Sequence, residues 1–326
     1  MKKPLKRKVL SKALGGVYVF MLILCMVMLI AFPDRYVPSA AEGLKVWAIT
    51  VAPSLLPFFF LTALLAKTEC VSAFSDFITP LGKIAYRSDG LSVYLQLTSF
   101  LSGYPIGAKT IAELNDNGVI SASQAEKYSV TSSTSGPLFI VGGIGISMFG
   151  DKRVGFSILL CHLLSSVLTG IAFRGLKADG ARALSRGKSV DNALYESIYS
   201  SVISVAIVGG FIAVFYTFAR IALDIKLLSP LVALLSPFLG SAVAEGFTIG
   251  LIECTTGIKA ISLGKATAIN VALSCALVSF GGLSVWCQSL IYLSKTGART
   301  RVFVLSKVVH AALSFITCYI FFTLVN

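Results

Sequence analysis

The amino-acid sequence predicts an all-α, polytopic membrane protein, built as an inverted-topology repeat with two re-entrant hairpins and interrupted transmembrane helices. Three observations predict it. The chain has 326 residues, 56% hydrophobic and only 13% charged, with a mean hydropathy of +0.84, which is more apolar surface than a soluble domain can keep in water. Its two halves echo each other: Thr79-Pro80-Leu81 returns 150 residues later as Ser229-Pro230-Leu231. Finally, its apolar runs are interrupted at matching places by Gly, Pro and hydroxyl residues.

Residues 13–32, 44–66, 154–173, 200–222 and 303–325 form apolar runs, close to or above the roughly 20 residues that cross a hydrocarbon layer of about 30 Å. The net charge of +13 sits in short segments beside these runs, a pattern that speaks for topology and against nucleic acid as a partner. The clusters are Lys2, Lys3, Lys6, Arg7, Lys8 and Lys12, the segment 174–188, and Lys295, Arg299 and Arg301. The positive-inside rule places all three in the cytoplasm.

From an inside N-terminus, residues 13–32 leave the cell as a retained first helix, being too long for a signal-peptide core and lacking a small-residue cleavage site. Residues 44–66 return, and residues 71–86, with their polar side chains and Pro80, suit an interfacial helix. Residues 91–114 then enter and turn back at the 103–107 break, leaving Asn115 to Gly118 in the cytoplasm. Residues 124–149 cross outward, interrupted around 132–137, and residues 154–173 cross back. Three crossings per half invert the second half. The expected organisation is a basic N-terminus and first helix (1–43), a first repeat (44–175), a basic cytoplasmic linker (176–192) and a second repeat (193–326).

The repeat is carried by an ordered set of matches. "LSGYPIGAKTI" at 101–111 aligns with "LIECTTGIKAI" at 251–261, pairing Gly107 with Gly257 and Lys109 with Lys259. "SGPL" at Ser135 aligns with "FGGL" at Phe280, Arg153 with Arg301, and the only two histidines, His162 and His310, with each other. Broken helices of this kind mark transporter sites.

Irregular backbone survives at membrane depth only where protein or a polar cavity satisfies its N–H and C=O groups. The four breaks, at 102–107, 131–137, 253–257 and 279–284, are therefore expected to meet at a polar site. The candidate substrate-binding residues are Ser102, Gly103, Tyr104 and Lys109 at the first hairpin and Ser133, Thr134, Ser135 and Gly136 at the first interrupted helix. Their counterparts are Glu253, Thr255, Thr256 and Lys259, then Gly281 and Gly282. Half-helix N-termini and hydroxyls there suit an anionic or hydrogen-bonding solute. Lys109 and Lys259 either bias the cavity towards anions or snorkel to the interface. Glu253 either carries a coupling proton, or ligates a cation, or is a hydrogen-bonded structural acid. Tyr104, Phe139 and Trp286 offer aromatic faces, with packing as the default role. The histidines are expected to pack or hydrogen-bond, and Glu113, Asp116 and Glu126 to solvate the cytoplasmic loop.

The seven cysteines have no C-x-x-C spacing and lie mostly in apolar runs, so neither disulfide nor metal is expected. No G-x-S-x-G elbow or Walker-type loop occurs, and no enzyme activity is expected. No cofactor is called for beyond a coupling Na+ or H+. The expected partners are a small-molecule anion and membrane lipid, with a homo-oligomer left open.

"FLSGYPIGAKT" and "SSTSGPLFIVGGIGISMFGD" resemble the YlbJ-type sporulation integral membrane proteins of the nucleoside-recognition (gate) domain superfamily. That superfamily is related to concentrative nucleoside transporters and to the membrane part of ferrous iron transporters. The resemblance covers roughly residues 40–325 and implies paired hairpins and interrupted helices around a central site. It implies a multi-pass protein of a bacterial cell membrane, specifically the outer forespore membrane, that moves dipicolinate during sporulation. A nucleoside or cation-coupled transporter of the same architecture, a pore component needing partner subunits, and a non-transporting sporulation scaffold are the alternatives.

Overall fold

The computed structural model describes residues 5–68, 70–178 and 192–325, without the side chains of residues 5–15, 17, 18 and 70. Lys2, Lys3 and most of the linker 176–192 lie outside the described residues, and the remaining basic side chains of the N-terminal cluster are likewise outside them. The first helix, α1 (Leu5–Ala31), ends before Pro33, whose ring is tolerated at a helix start and not inside one. Five helical stretches among the described residues are long and apolar enough to cross a membrane: Pro33–Leu65, Lys152–Ala172, Ala193–Asp224, Ala268–Thr296 and Thr300–Val325.

The first of these differs from the expected run at 44–66. Helix α2 (Pro33–Val46) precedes it and continues through a π turn (Trp47–Val51) into α3 (Ala52–Leu65). Sequence hydropathy hides α2 because it is amphipathic and carries Asp34, Arg35, Glu42 and Lys45. It is held by α9 (Ala193–Asp224): Tyr36 donates to Asp224 at 2.9 Å, and the Trp47 indole donates to the Val205 carbonyl at 2.9 Å. The 32 residues of α9 span about 48 Å at 1.5 Å each, more than a hydrocarbon core of about 30 Å. Its far end therefore has room to pair with α2.

The remaining elements of the first half follow in the expected order. They are α4 (Cys70–Tyr86), α5 (Gly90–Ser102), α6 (Ile106–Asp116), α7 (Ala122–Ser129), a π segment (Phe139–Met148) and α8 (Lys152–Ala172). The same order returns after α9 as α10 (Ser229–Leu239), α11 (Ser241–Ile252), α12 (Cys254–Ser262), α13 (Ala268–Phe280), α14 (Gly282–Leu293) and α15 (Thr300–Val325). A short 3-10 turn, Ser294–Thr296, follows α14.

Each break falls where the residues demand one. Helix α5 stops at Gly103, whose φ of +84° only glycine adopts freely, and a cis Tyr104-Pro105 bond starts the next helix. Helix α13 stops at Gly281 in the left-handed region, the usual helix C-terminus. Helices α11 and α12 fold back on each other: a Cβ on Gly257 would lie 2.2 Å from the Gly250 Cα, while Gly246 faces Ala260 and Ile261. The α13–α14 stretch is the most buried of the five spans, with 78% of its most apolar window inside the molecule, so its break is covered by protein and not by lipid.

Candidate functional site

The breaks converge. The Gly103–Tyr104 turn seats against the 131–137 break: the Gly103 Cα is so close that a Cβ there would meet the Gly136 nitrogen at 2.8 Å. Hydroxyls stitch this contact. Thr134 shares a 2.9 Å bond between its Oγ1 and Ser99 Oγ, and its backbone N–H donates to the same Ser99 oxygen at 3.1 Å. Ser102 donates to Thr62 of α3 at 2.8 Å. From the same turn, the Tyr104 hydroxyl crosses to the second half and donates to the Val278 carbonyl on α13.

His162 of α8 bridges the two interrupted helices. Its Nε2 accepts from the backbone N–H of Ser135 at 3.0 Å, so Nδ1 carries the proton and donates to Ser279 Oγ at 2.7 Å. Ser279 passes the bond on to Ser314 at 2.6 Å. His310 donates from Nε2 to the His162 carbonyl at 3.0 Å, with the two rings 4.8 Å apart. The paired histidines thus form a hydrogen-bonded core between the halves.

Two cavities are lined by candidate residues. The central one, about 30 Å³, is lined by Gly103, Tyr104, Ser135, Glu253, Cys254, Thr255 and Gln288 against apolar neighbours such as Val51, Phe139 and Val285; it holds about one water-sized group. Glu253 is 1% exposed. Its carboxylate accepts from the backbone of Thr255 at 3.1 Å, from the backbone of Thr256 at 2.7 Å and from the Thr256 hydroxyl at 2.8 Å. It therefore fills the anion-favouring N-terminus of α12 with the chain's own charge.

The second cavity, about 350 Å³, lies between α3, α6 and α9 and has the size of a small-ligand site. Lys109 donates into it from α6, to Ser200 and, at 3.3 Å, to Ser204 of α9. Thr62, Thr98, Thr110, Ser197 and Ser201 add hydroxyls, Glu113 adds a carboxyl group, and a Lys67–Glu196 ion pair stands on its wall. Lys259 reaches instead to Glu42 of α2 and pairs with it. Lys109 thus engages hydroxyls of α9 and Lys259 an acid of α2.

Of the residues chosen from sequence, Gly103, Tyr104, Ser135, Glu253 and Thr255 line the central cavity, and Lys109 lines the larger one. Ser102, Ser133, Thr134, Gly136 and Thr256 build the walls between breaks, and Gly281 and Gly282 form the second helix interruption. A Cβ on Gly282 would meet the Gly250 carbonyl oxygen at 2.9 Å, which ties this break to the α11–α12 turn.

Two residues escaped the sequence reading, and a third was given a different role. Gln288 lines the central cavity, and its Oε1 has no partner among the described residues; a lone amide in the apolar stretch of α14 was the available signal. Lys307, 1% exposed, sends its ammonium to the Ser133 carbonyl at 2.7 Å and sits 5.4 Å over the Tyr104 ring. Its signal was a lysine well inside the 303–325 run. Glu126, expected only to solvate a loop, holds Arg299 through both oxygens, at 2.7 and 2.5 Å.

No family model matches the chain. The comparison with curated proteins finds the "Sporulation integral membrane protein YlbJ" of Bacillus subtilis (strain 168), 27% identical over 307 residues, which cover 85% of this chain and 75% of that protein. The comparison with solved structures finds a doubly substituted CNTnw in an outward-facing state, with a TM-score of 0.56 at 13% identity over 99% of this chain and 87% of that one. At that identity the likeness speaks for the fold alone. The chain is therefore a multi-pass membrane protein similar over most of its length to a sporulation integral membrane protein, and it has the fold of a concentrative nucleoside transporter.

Proposed function

We propose that the protein is a membrane transporter of a small organic anion, and that its solute is dipicolinate moved across the outer forespore membrane of a spore-forming bacterium. The observation that carries this reading is the 350 Å³ cavity beside the first hairpin, where the Lys109 ammonium and a ladder of serine and threonine hydroxyls face one space. A carboxylate entering there meets a cation already held on hydroxyls it can displace. The Bacillus relative is a sporulation protein and the structural neighbour is a transporter, which supports both the setting and the class of activity. No chemical step is part of this role.

The test is the dipicolinate content of spores lacking the gene, measured beside synthesis in the mother cell. Intact synthesis with empty spores is the expected result, and full spores would overturn the reading. Replacing Lys109→Gln in the full-length protein is expected to lower spore dipicolinate at least about tenfold, the worth of a charged hydrogen bond. A second reading, a nucleoside transporter, is favoured by the fold shared with a concentrative nucleoside transporter. Uptake of labelled uridine into proteoliposomes, unaffected by excess dipicolinate, would select it.

A further inference from the structure

Lys307 has no place in the solute pathway described above, yet it is the most heavily buried cation among the described residues. It lies on α15, one turn before His310, and its ammonium ends at the first break. There it donates to the main-chain carbonyl of Ser133 at 2.7 Å and lies 5.4 Å from the centre of the Tyr104 ring. Among the described residues no carboxylate oxygen lies within ion-pair distance of it. A buried ammonium without a counter-charge is costly, so what it does touch needs a reason.

It touches one carbonyl oxygen and one aromatic face, and further oxygens that a cation could use belong to the same break. The carbonyl of Ser133 is freed from helix hydrogen bonding by the break, since residues 133–136 carry no helical pattern. Two hydroxyl oxygens of the same break, Ser132 Oγ and Ser133 Oγ, are buried with no partner among the described residues. The face of Tyr104, at the hairpin turn, supplies the negative side of an aromatic quadrupole. Carbonyl and hydroxyl oxygens exposed by an interrupted helix are the ligands that small monovalent cations take in broken-helix membrane proteins. Here the charge arrives on a side chain.

We propose that Lys307 is a tethered cation: its ammonium takes the cation position at the junction of the first hairpin turn and the first interrupted helix, so that no free inorganic cation is needed there. The consequence for the transport reading, on which only this consequence rests, is that the solute moves without sodium coupling at this junction. The arrangement adds to the Ser99–Thr134 bonds that join the break and the hairpin turn: one ammonium is shared between a carbonyl on one and a ring on the other.

The experiment uses the full-length protein in lipid nanodiscs and needs no solute, so its outcome is separate from that of the dipicolinate test. Hydrogen exchange of peptides covering residues 99–110 and 128–140 is followed in sodium chloride and in choline chloride at equal ionic strength. The wild type is expected to show the same protection in both salts. In Lys307→Met, which keeps the length and loses the charge, exchange of both peptides is expected to rise about tenfold or more in choline, as for a lost charge-assisted bond. Sodium is expected to restore much of that protection, whereas Lys307→Arg is expected to need none. A role in packing alone would give no rescue by sodium. The proposal is overturned by sodium-dependent protection of the wild type, a measurement that holds even where Lys307→Met fails to fold. It is equally overturned by a folded Lys307→Met that keeps wild-type protection in choline, or that loses protection without recovering any in sodium.

Discussion

At the residue scale, Glu253 and the glycines of the breaks show how irregular backbone is made stable inside an apolar molecule. Glu253 supplies the acceptors for the first N–H groups of α12 and for the Thr256 hydroxyl, a buried N-cap whose charge suits the helix dipole. Glu253→Gln keeps the shape but turns an amide NH2 towards one of those donors. The expected cost is about 1–2 kcal/mol, read as a lower melting temperature of the purified protein. An unchanged melting temperature would mean the carboxylate is not acting as a cap. Gly103 is constrained twice, by its φ of +84° and by the Gly136 nitrogen 2.8 Å from where a Cβ would sit. Gly103→Ala is therefore expected to destabilise by about 1–3 kcal/mol, with the loss concentrated in exchange protection of the 99–110 peptide. Gly118→Ala also has a positive φ, of +69°, but open space around it, so it isolates the conformational part and should cost about 1 kcal/mol or less.

At the element scale, the sequence was most legible where it breaks. Gly103, Pro105, the Thr131 to Pro137 run and Gly281-Gly282 stop helices because of what these residues do locally, and local effects survive folding. Less legible were the elements whose form depends on neighbours. Helix α2 was missed because its charges and Pro38 read as a loop until α9 packs beside it. The wide π turns at Trp47–Val51 and Phe139–Met148 have no composition that marks them; the second lies where Gly145 and Gly155 bring the segment against α8, with a Cβ on Gly145 falling 2.6 Å from the Gly155 Cα. The α11–α12 pair depends on the same kind of approach. Gly257→Val would place side-chain atoms inside the Gly250 backbone, so the two helices must separate. A loss of more than about 2 kcal/mol is expected, whereas Gly210→Val, with nothing within 4 Å of its Cβ position, is expected to change stability by less than about 1 kcal/mol.

At the scale of the whole molecule, the halves are joined by polar contacts that a linear reading sorts into other categories. Arg299 read as a topology signal because charge beside an apolar run usually is one, Glu126 read as loop solvation, and Lys307 was given no role. Folding places each against the opposite half. His162 and His310 were expected to have a hydrogen-bonding role, but which atoms they serve depends on α8, α13 and α15 meeting, and no spacing encodes that. The Glu126–Arg299 link is the most accessible of these joints to measurement. Glu126 is 8% exposed and Arg299 60% exposed, and the guanidinium meets both carboxylate oxygens while the Arg299 backbone N–H adds a third bond at 3.0 Å. Bidentate geometry on a buried acid raises the pair above an ordinary surface bridge, while solvent at Arg299 keeps it below a fully buried one. A double-mutant cycle of Glu126→Gln with Arg299→Met is expected to give a measurable favourable coupling in chemical or thermal unfolding. Arg299→Lys keeps the charge but loses the fork, so it should recover less than half of that coupling. A coupling that does not differ from zero would mark an ordinary surface bridge, and would leave the joining of the halves to the histidine core and the helix contacts alone.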